Sequence, residues 1–409
     1  MRILLVSEDL PGERIGGLGK HVVTLGNALL AHGHDVRILG RSDRSDRSAR
    51  GSADYARQIG FQGEVVAAFD YAHVGWKESQ LGVFNPFKRP YFARKLARAI
   101  AQHAGKADVV HYHGHLPMVG LYLDPAINFV QTRHDQGSEC VIHLRFRDGA
   151  VCEAPSARAC AACAHPRPGP LRTSLSAHAV ERYRDETERA FARHKTVFVS
   201  DFLRRQFLRA RPGADLRRAR VIHNFIDLDR IAGLAAQAGP PRAGQVLVAG
   251  RIDTGKGFGE FLEAAQGRLP PWARILVVGD GPARAALEMR FAGEQVRFLG
   301  WRAGAEVVAH TASSHVCVVP SVWEEPCGTT ILEGLALGRP CMALARGGTP
   351  ELAAYEQYPG QLQLSQTMPE LVERLGARLA TPPLWLPRPA RFGADVNLIL
   401  PRLVDLYAE

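Results

Sequence analysis

Residues 320–351 decide the fold of this chain and have the sequence P-S-V-W-E-E-P-C-G-T-T-I-L-E-G-L-A-L-G-R-P-C-M-A-L-A-R-G-G-T-P-E. From Gly328 onward the apolar residues recur at helical spacing, which predicts a loop, a helix and then a strand. Glu325 lies in the loop, and Glu333 follows eight residues later in the helix. The free N–H groups at the start of a helix can bind an anion. Two nearby carboxylates suit sugar hydroxyls better than phosphate, because like charges repel, so a nucleotide sugar fits this stretch.

The same stretch resembles the Glu-x7-Glu motif of retaining glycosyltransferases of the GT-B fold, in particular family 4. The usual form of that motif is E-P-F-G-x4-E, and here Glu325-Pro326-Cys327-Gly328 and Glu333 match it, with Cys327 in place of the aromatic residue. The resemblance implies an α/β fold of the GT-B class. Two Rossmann-like domains with parallel sheets face each other across a cleft, and a C-terminal helix returns to the first domain. The alternative is an amphipathic helix that carries two solvated glutamates.

The length of 409 residues exceeds the usual size of a single core, so two domains are expected. With the resemblance, we expect an acceptor-binding domain over residues 1–225 with a Cys-rich insert at 140–170. A donor-binding domain is expected over residues 226–387, and a helix over residues 388–409 should cross back. Residues 232–244 are rich in Ala, Gly and Pro and are predicted to be an interdomain linker.

Short apolar runs separated by helical patterns predict parallel strands in both halves. In the first half these runs are 2–7, 35–40, 63–69, 107–112, 128–132 and 196–200, with a further short strand from Val221. In the second half they are 245–249, 274–278, 296–299, 315–319 and 340–345. Residues 41–53 are rich in Ser, Arg and Asp without apolar periodicity, and are predicted to be a mobile surface loop.

The formal net charge is +10, from 51 Lys and Arg against 41 Asp and Glu, which favours acidic partners. Nucleotide diphosphates and anionic lipid headgroups are such partners, whereas no motif for nucleic acid has the expected spacing. No apolar run approaches the length of a membrane-spanning helix. The apolar run at the N-terminus is too short for a signal peptide, so a cytoplasmic location is expected.

A glycine-rich turn, G-R-I-D-T-G-K-G at residues 250–257, follows a predicted strand. Arg251 offers a planar fork and Lys256 a compact charge, and together they suit a diphosphate. The spacing differs from the Walker pattern, so an NTPase is not indicated. The turn resembles the family's G-R-x4-K-G motif, and the resemblance extends to other strand ends. It places the donor at the turn containing Gly281, at Trp301 and Arg302 where the nucleobase meets the backbone, and at the helix start with Gly328 and Thr329.

The first domain offers a glycine loop and a histidine at predicted strand ends. Gly16 and Gly17 precede a helix and let backbone approach a ligand closely, although a plain tight turn fits equally well. His134 follows a strand, where ligands of open α/β sheets bind. A lone histidine more often has a structural role. The resemblance, however, matches His134 to a family histidine near the donor sugar and the glycine loop to one that faces donor phosphate and acceptor. His111, His113 and His115 end another strand, and the sequence does not distinguish among them.

Four of the seven cysteines lie in the insert, and the last two form a Cys-x-x-Cys pair. The four are Cys140, Cys152, Cys160 and Cys163. In a cytosolic protein such a cluster favours metal over disulfide, and four thiolates suit a structural zinc ion that holds together a loop without a core. Because the first spacings are irregular, unlinked thiols remain an equal alternative.

Two predicted helices of the first domain are basic. One carries Arg94, Lys95 and Arg98, and the other carries Arg204, Arg205, Arg209 and Arg211 beside Phe202, Leu203 and Phe207. A basic helix with apolar neighbours can lie on an anionic membrane, which predicts peripheral association at the inner face of the membrane and a lipid-linked or growing cell-envelope glycan as acceptor. An ordinary arginine-rich surface in solvent is the alternative.

The resemblance implies a retaining, metal-independent glycosyltransferase that uses a nucleoside-diphosphate sugar, with UDP- or GDP-sugars favoured, and acts on a glycan or lipid-linked acceptor. No cofactor is expected for catalysis. Glu325, His134, Arg251 and Lys256 are the expected catalytic residues, and Glu333 is expected to hold the ribose. A GT-B nucleotide-sugar epimerase or hydrolase is one alternative, and a non-catalytic basic surface-binding protein is another.

Overall fold

The structure is a computed structural model that describes residues 1–10, 15–42, 52–71, 85–153, 156–164, 169–384, 386 and 389–409. The chain divides into two compact units. The first comprises Met1–Arg145, Cys152–His223 and Ile399–Glu409, and the second comprises Phe146–Val151 and Asn224–Leu398. Most of the predicted surface loop over 41–53 lies outside the described residues.

Fifteen strands occur in the described residues. They are β1 (Arg2–Ser7), β2 (Asp35–Arg41), β3 (Glu64–Phe69), β4 (Val109–His113), β5 (Phe129–Arg133), β6 (Phe146–Arg147), β7 (Ala150–Val151), β8 (Lys195–Phe198), β9 (Ala219–Val221), β10 (Arg242–Ala249), β11 (Arg274–Val278), β12 (Val296–Gly300), β13 (Ser314–Val319), β14 (Cys341–Leu344) and β15 (Leu362–Ser365).

The α-helices of the described residues are α1 (Gly17–Ala31), α2 (Ser52–Ile59), α3 (Arg89–Ala104), α4 (Ala157–Ala164), α5 (Pro170–Arg193), α6 (Asp201–Ala210), α7 (Leu228–Ala235), α8 (Phe258–Ala265), α9 (Arg284–Phe291), α10 (Gly304–Ala312), α11 (Thr329–Ala336), α12 (Met368–Leu379) and α13 (Val396–Ala408). Short 3₁₀ turns lie at Val119–Tyr122, Thr254–Lys256 and Thr349–Tyr355. No helix in the described part of the chain is long and apolar enough to cross a membrane.

The first unit contains a seven-stranded sheet with the order β3-β2-β1-β4-β5-β8-β9. Every pair in it is parallel, and β1 meets β4 with Ile3 opposite Val109. Parallel strands covered on both faces are buried along their whole length, as β4 is, with all five residues buried although two of them are histidines. Leu4 and Val6 of β1 share a core with Phe92 of α3.

The second unit contains a six-stranded sheet with the order β12-β11-β10-β13-β14-β15. All its pairs are parallel. Its core joins Val246 and Val248 of β10 to Phe261 of α8 and Leu375 of α12. The predicted α/β class with parallel sheets is therefore confirmed.

The structure corrects the predicted linker at 232–244. The chain passes from the first unit to the second between His223 and Asn224, α7 covers Leu228–Ala235, and β10 already begins at Arg242. The last helix begins at Val396, eight residues after the expected start at residue 388. Its residues from Ile399 onward belong to the first unit.

Candidate active site

The order of the second sheet places two of the predicted loops side by side. From β10 the chain proceeds to β11 and β12 on one side, then returns to add β13 on the other. Such a reversal of strand order creates the crevice beyond the carboxyl ends where α/β proteins bind ligands. The loop after β10 is residues 250–257, and the loop after β13 is residues 320–328.

These two loops are joined backbone to backbone. The N–H groups of Val322 and Trp323 both donate to the carbonyl of Gly255 at 3.0 Å. Gly257 has φ of 69°, and a Cβ added there would lie 2.0 Å from the carbonyl oxygen of Pro320. Only glycine fits this position, because both the left-handed backbone and the close approach exclude a side chain.

Glu325 and Lys256 meet across the joined loops. The ammonium nitrogen of Lys256 lies 2.6 Å from Oε2 of Glu325. The same oxygen accepts hydrogen bonds from the hydroxyl of Ser321 at 3.2 Å and from the indole N–H of Trp323 at 3.0 Å. The Lys256 ammonium also lies 5.1 Å from the centre of the Trp323 ring. Lys256 and Glu325 are therefore held in a fixed geometry. Ser321 and Trp323, which hold the Glu325 carboxylate, lie just before the Glu-x7-Glu motif and were not among the predicted site residues.

The predicted diphosphate turn has one exposed and one supported cation. Arg251 is exposed, with a side chain 72% accessible, and lies 3.4 Å from Asp253. The carboxylate of Asp253 accepts from the N–H of Lys256 at 3.1 Å and so caps the turn that carries Lys256. Gly281 belongs to the adjacent turn, and a Cβ on it would lie 2.3 Å from the carbonyl oxygen of Ile252. The backbone of both turns is therefore closely packed beside Lys256.

Helix α11 begins beside the acidic loop, as predicted. Gly328 precedes it without a side-chain cap, and Thr329 is its first residue. A Cβ on Gly328 would lie 3.6 Å from Cγ of Glu325, so the helix start adjoins that side chain. Glu333 lies within the helix and is partly exposed. The side-chain amide of the buried Asn224 donates to the carbonyl of Cys327 at 3.0 Å and holds this loop in place.

Trp301 and Arg302 directly follow β12, two strands away from β10. The Trp301 side chain is 44% accessible. Arg302 lies 3.6 Å from Glu306, one turn into α10. Both residues therefore lie at the carboxyl edge of the sheet, where the resemblance places the nucleobase.

In the first unit the reversal of strand order falls between β1 and β4. Gly16 and Gly17 begin α1 near the end of β1, and both are exposed. The carboxylate of Asp9 accepts from the N–H of Gly19 at 3.0 Å, and a Cβ on Gly16 would lie 3.1 Å from it. An anionic ligand at the start of α1 would therefore lie close to the Asp9 carboxylate, which already accepts from one N–H group there.

His134 lies in a group of three histidines at the same edge. Its Nε2 lies 3.0 Å from Nδ1 of His113, and its ring centre lies 4.6 Å from that of His21 on α1. Burial lowers the pKa of His134 and of His113 well below the usual value of 6.5, and lowers the pKa of His21 to about 3. All three imidazoles are therefore neutral near pH 7.

His115 and Asp135 form a second polar group nearby. Nδ1 of His115 lies 2.8 Å from the Asp135 carboxylate, which also lies 3.1 Å from Nδ1 of His143 and 3.4 Å from Arg133. Burial would lower the pKa of His115, but the hydrogen bond to Asp135 and the negative charges of Asp135 and Glu8 together outweigh it, so the pKa is raised. Burial would likewise raise the pKa of Asp135, yet its histidine partners hold it well below the usual range.

His111, the first histidine of the H-Y-H-G-H segment, has a structural role. It is fully buried, and its two ring nitrogens lie 2.7 Å from the hydroxyls of Tyr407 and Thr132. The structure thus distinguishes the three histidines that the sequence left open.

The four cysteines of the insert are free thiols in the structure. Within the described residues, two groups have three or more candidate metal ligands within 4.8 Å of one another, and neither contains a cysteine. Cys160 instead accepts from Arg184 at 3.2 Å and belongs to the core of the first unit, where burial raises its pKa to about 11. The insert packs against that core, contrary to the expectation of a loop without one, and the zinc site stays a prediction.

Helix α6 does not have the predicted apolar outer face. Leu203 and Phe207 are buried, at 3% and 0% accessibility. Arg211 lies just beyond the helix and pairs with three carboxylates of α5, those of Glu181, Asp185 and Glu188. The amphipathic pattern of α6 thus reflects packing against the core.

Two family models and several known proteins match this chain. The family model described as Glycosyltransferase Family 4 matches residues 15–230, and the model described as Glycosyl transferases group 1 matches residues 243–375. Glycogen synthase of Mycobacterium tuberculosis H37Rv is 27% identical over 366 residues, covering 86% of this chain and 80% of that protein.

Solved structures share the fold over the whole chain. Sucrose-phosphate synthase from Thermosynechococcus elongatus has a TM-score of 0.63 at 19% identity and covers 100% of this chain and 98% of its own. Anabaena HepE, solved in complex with UDP-glucose, has a TM-score of 0.57 at 16% identity and covers 100% and 97%. The fold and the site thus define a glycosyltransferase of the GT-B class. The chain belongs to glycosyltransferase family 4, whose model matches more than half of it.

Proposed function

We propose that this protein transfers a sugar from a nucleoside-diphosphate sugar to a glycan or lipid-linked acceptor, with retention at the anomeric carbon. The Lys256–Glu325 pair at the reversal of strand order is the observation that carries the proposal. A cation suited to phosphate and a carboxylate suited to hydroxyls lie within one hydrogen bond of each other. A nucleotide sugar presents those two chemistries on either side of the bond that breaks.

Departure of the anionic diphosphate is the main barrier to the reaction. The bond between the anomeric carbon and the phosphate oxygen breaks, and its electron pair remains on the diphosphate. Lys256 and the exposed Arg251 would stabilise that charge where it develops. The acceptor oxygen bonds the anomeric carbon on the same face, and its proton passes to the departing phosphate oxygen. These steps require no catalytic metal and no protein nucleophile.

The remaining donor contacts follow from the loop positions. Glu325 would accept from sugar hydroxyls, and Glu333 would hold the ribose diol from within α11. The N–H groups at the start of α11, at Gly328 and Thr329, would face phosphate.

The nucleoside would be bound by Gly281, Trp301 and Arg302, which lie at the same edge of the sheet. In the first unit, His134, Gly16 and Gly17 are proposed as further donor contacts because the family resemblance matches them.

The nucleotide is proposed to be UDP or GDP, and the pathway to be cell-envelope or exopolysaccharide synthesis. The HepE structure contains UDP-glucose, which supports a nucleotide-sugar donor. A GT-B epimerase or hydrolase would use the same donor, but a hydrolase transfers the anomeric carbon to water, and an epimerase inverts a carbon of the sugar without an acceptor. A non-catalytic basic protein would bind no nucleotide at all.

A panel of UDP-, GDP- and ADP-sugars, scored by thermal shift, tests the proposal. A ligand that binds only the folded state stabilises it by about 2.7 kcal/mol at a hundredfold excess over Kd, so the true donor should stand out. NMR of the product formed with a sugar acceptor then reports whether the anomeric configuration is kept. Lys256→Ala should lower turnover about a hundredfold or more, and Arg297→Ala, at an exposed arginine of β12, serves as the control.

Three outcomes would reject the proposal in different ways. Absence of any nucleotide effect would leave a binding protein. A product released without an acceptor, identified as an epimer or as free sugar, would indicate the epimerase or hydrolase. Turnover by Lys256→Ala within about threefold of the wild type would remove Lys256 from catalysis, given the loss expected for one such donor.

A further inference from the structure

Three histidines of the first unit converge on one point from three separate elements. His21 lies in the second turn of α1, His113 ends β4, and His134 directly follows β5. One ring nitrogen from each lies within 4.8 Å of the others. The ring centres are 5.4 Å apart for His21 and His113, and 5.3 Å apart for His113 and His134.

The cluster offers lone pairs rather than charge. His21 and His113 are buried and His134 is partly buried, and the group contains no carboxylate. In the structure Nδ1 of His113 and Nε2 of His134 share one hydrogen bond at 3.0 Å, whereas the buried Nε2 of His113 has no hydrogen-bond partner.

We propose that His21, His113 and His134 form a binding site for a divalent transition-metal ion such as Zn²⁺. Each residue supplies one ring nitrogen, and water completes the coordination. Three protein ligands with an open fourth position is a familiar zinc arrangement. The ligand set selects the metal, because neutral imidazole suits Zn²⁺, Co²⁺, Ni²⁺ and Cu²⁺, whereas Mg²⁺ and Ca²⁺ prefer oxygen.

The ion is distinct from a zinc held by the insert, because no cysteine belongs to this group.

Metal binding would inhibit the enzyme, and this consequence rests on the proposed function. A metal-bound His134 can no longer direct that nitrogen at a donor sugar. Free Zn²⁺ should therefore compete with the nucleotide sugar, and a chelator should restore turnover. The metal site itself does not depend on the reaction and is measurable without any nucleotide.

Cobalt titration of the chelator-treated full chain provides the test. Co²⁺ held by imidazole gives visible d–d absorption, whereas thiolate ligation adds charge-transfer absorption in the near ultraviolet. We expect visible bands that saturate at one Co²⁺ without the thiolate band. In His113→Phe, which keeps the ring and its burial, Co²⁺ binding should weaken at least about a hundredfold, since removing even a group that only orients a ligand costs about 10–100-fold. His115→Gln, at the neighbouring Asp135 group, should bind Co²⁺ as the wild type does.

A second measurement covers the case in which His113→Phe does not fold. In wild-type protein labelled with ¹⁵N-histidine, Zn²⁺ should shift the ring nitrogens of three residues, assigned with His21→Phe and His113→Phe where these fold. Unchanged Co²⁺ binding in a folded His113→Phe, or no ring-nitrogen shift in the wild type, would overturn the site. Loss of nucleotide binding by the metal-free protein would instead count against the proposed function.

The two proposals can also be separated through turnover. The ratio of turnover with chelator to turnover with Zn²⁺ should exceed about ten in the wild type, in line with the loss of one oriented donor contact. It should be close to one in His113→Phe. An equal ratio in both proteins would show that zinc inhibits elsewhere.

Discussion

The ammonium group of Lys256 lies 2.6 Å from Oε2 of Glu325, although 69 residues separate them in the sequence. The two residues follow β10 and β13, which are neighbours in the sheet. Lys256 was expected to bind phosphate and Glu325 to bind a sugar. In the structure each group is engaged by the other, so a donor must either share this pair or open it.

Glu325→Gln is therefore expected to separate turnover from nucleotide binding. Removing the carboxylate charge frees Lys256 for phosphate, so the free nucleoside diphosphate should bind as tightly as before or more tightly. Turnover should fall about a hundredfold or more, because a contact that orients the sugar is lost. Calorimetry and steady-state kinetics on the same preparation measure both effects.

Glu333→Gln supplies the contrast, because the ribose is its proposed partner. It should weaken binding of the nucleoside diphosphate itself, and Glu373→Gln, an exposed residue on α12, should change neither quantity. If Glu325→Gln weakened nucleotide binding and Glu333→Gln did not, the two assigned roles would be reversed.

Gly257→Ala should destabilise the second unit and disable nucleotide binding together. The added methyl group would lie 2.0 Å from the carbonyl oxygen of Pro320, and the backbone at φ of 69° disfavours any side chain. We expect a loss of more than about 1 kcal/mol in the free energy of unfolding, measured by urea denaturation. Gly304→Ala is the matched control, since no atom lies within 4 Å of its added Cβ. Equal stability of the two variants would contradict the close approach.

The fold was predictable because its strands are buried runs with helical patterns between them. The apolar sequence R-I-L-L-V-S of β1 forms a strand as expected, with five of its residues buried. Strand β15 was missed because Leu362 and Leu364 alternate with polar residues at the edge of the sheet. Alternation over four residues is too short to predict a strand.

The sequence allowed individual residues of the candidate site to be predicted, but not the contacts between them. The motifs identified Glu325 and Lys256, but their pairing depends on which strands are adjacent, and no local pattern encodes that. Ser321 and Trp323 could have been found, since both stand between the end of β13 and Glu325 in the sequence. The core position of Cys160 could not, because the Ala- and Arg-rich composition of α4 concealed its packing against α5.

Acidification should destabilise the first unit through its buried histidines. Burial lowers the pKa of His21, His111 and His143 to about 3, against about 6.5 in an unfolded chain. Below pH 6.5 the unfolded state binds more protons, so stability is present above that pH and is lost as the pH falls. Each group contributes up to about 1.4 kcal/mol per pH unit.

Other groups near these histidines do not reverse that sign between pH 6.5 and 5. The raised pKa of His115 and the raised pKa of Glu139, about 8, add stability on the acid side. They are two groups against five histidines with a lowered pKa, namely His21, His111, His113, His134 and His143. The lowered pKa of Asp135 matters only below about pH 4, where an unfolded aspartate takes up its proton. His21→Phe should reduce the slope of stability against pH, and His178→Gln, an exposed histidine of α5, should not. An identical slope in all three proteins would contradict the burial of His21 as a neutral group.

Zinc content tests the cysteine insert. If Cys140, Cys152, Cys160 and Cys163 rearrange around an ion, purified protein should contain about one zinc per chain that survives in His113→Phe. Cys163→Ser should lose it, whereas Cys317→Ser, in β13, should keep it. Chelation should loosen the insert to proteolysis before it affects the second unit. Zinc-free protein with an unchanged proteolysis pattern would leave the thiols as core and surface residues.

Association with an anionic membrane should involve α3 rather than α6. Arg94 and Arg98 are exposed on α3, and Phe87 and Tyr91 beside them are 49% and 41% accessible. Exposed aromatic rings next to cations suit a membrane interface, where each cation contributes about 1 kcal/mol. On α6 Leu203 and Phe207 are buried, Phe202 and Leu208 are partly buried, and Arg205 lies 2.7 Å from Asp201.

Liposome co-sedimentation distinguishes the two helices with the same change in charge. Retention on anionic vesicles at low salt should fall for a variant with Arg94 and Arg98 changed to Gln, and fall further when Phe87→Ser is added. A variant with Arg205 and Arg209 changed to Gln should sediment like the wild type. Retention should also decrease steeply with salt, since exposed charges are screened over about 8 Å at physiological ionic strength. Wild-type protein that stays in the supernatant at low salt would favour an acceptor free in solution.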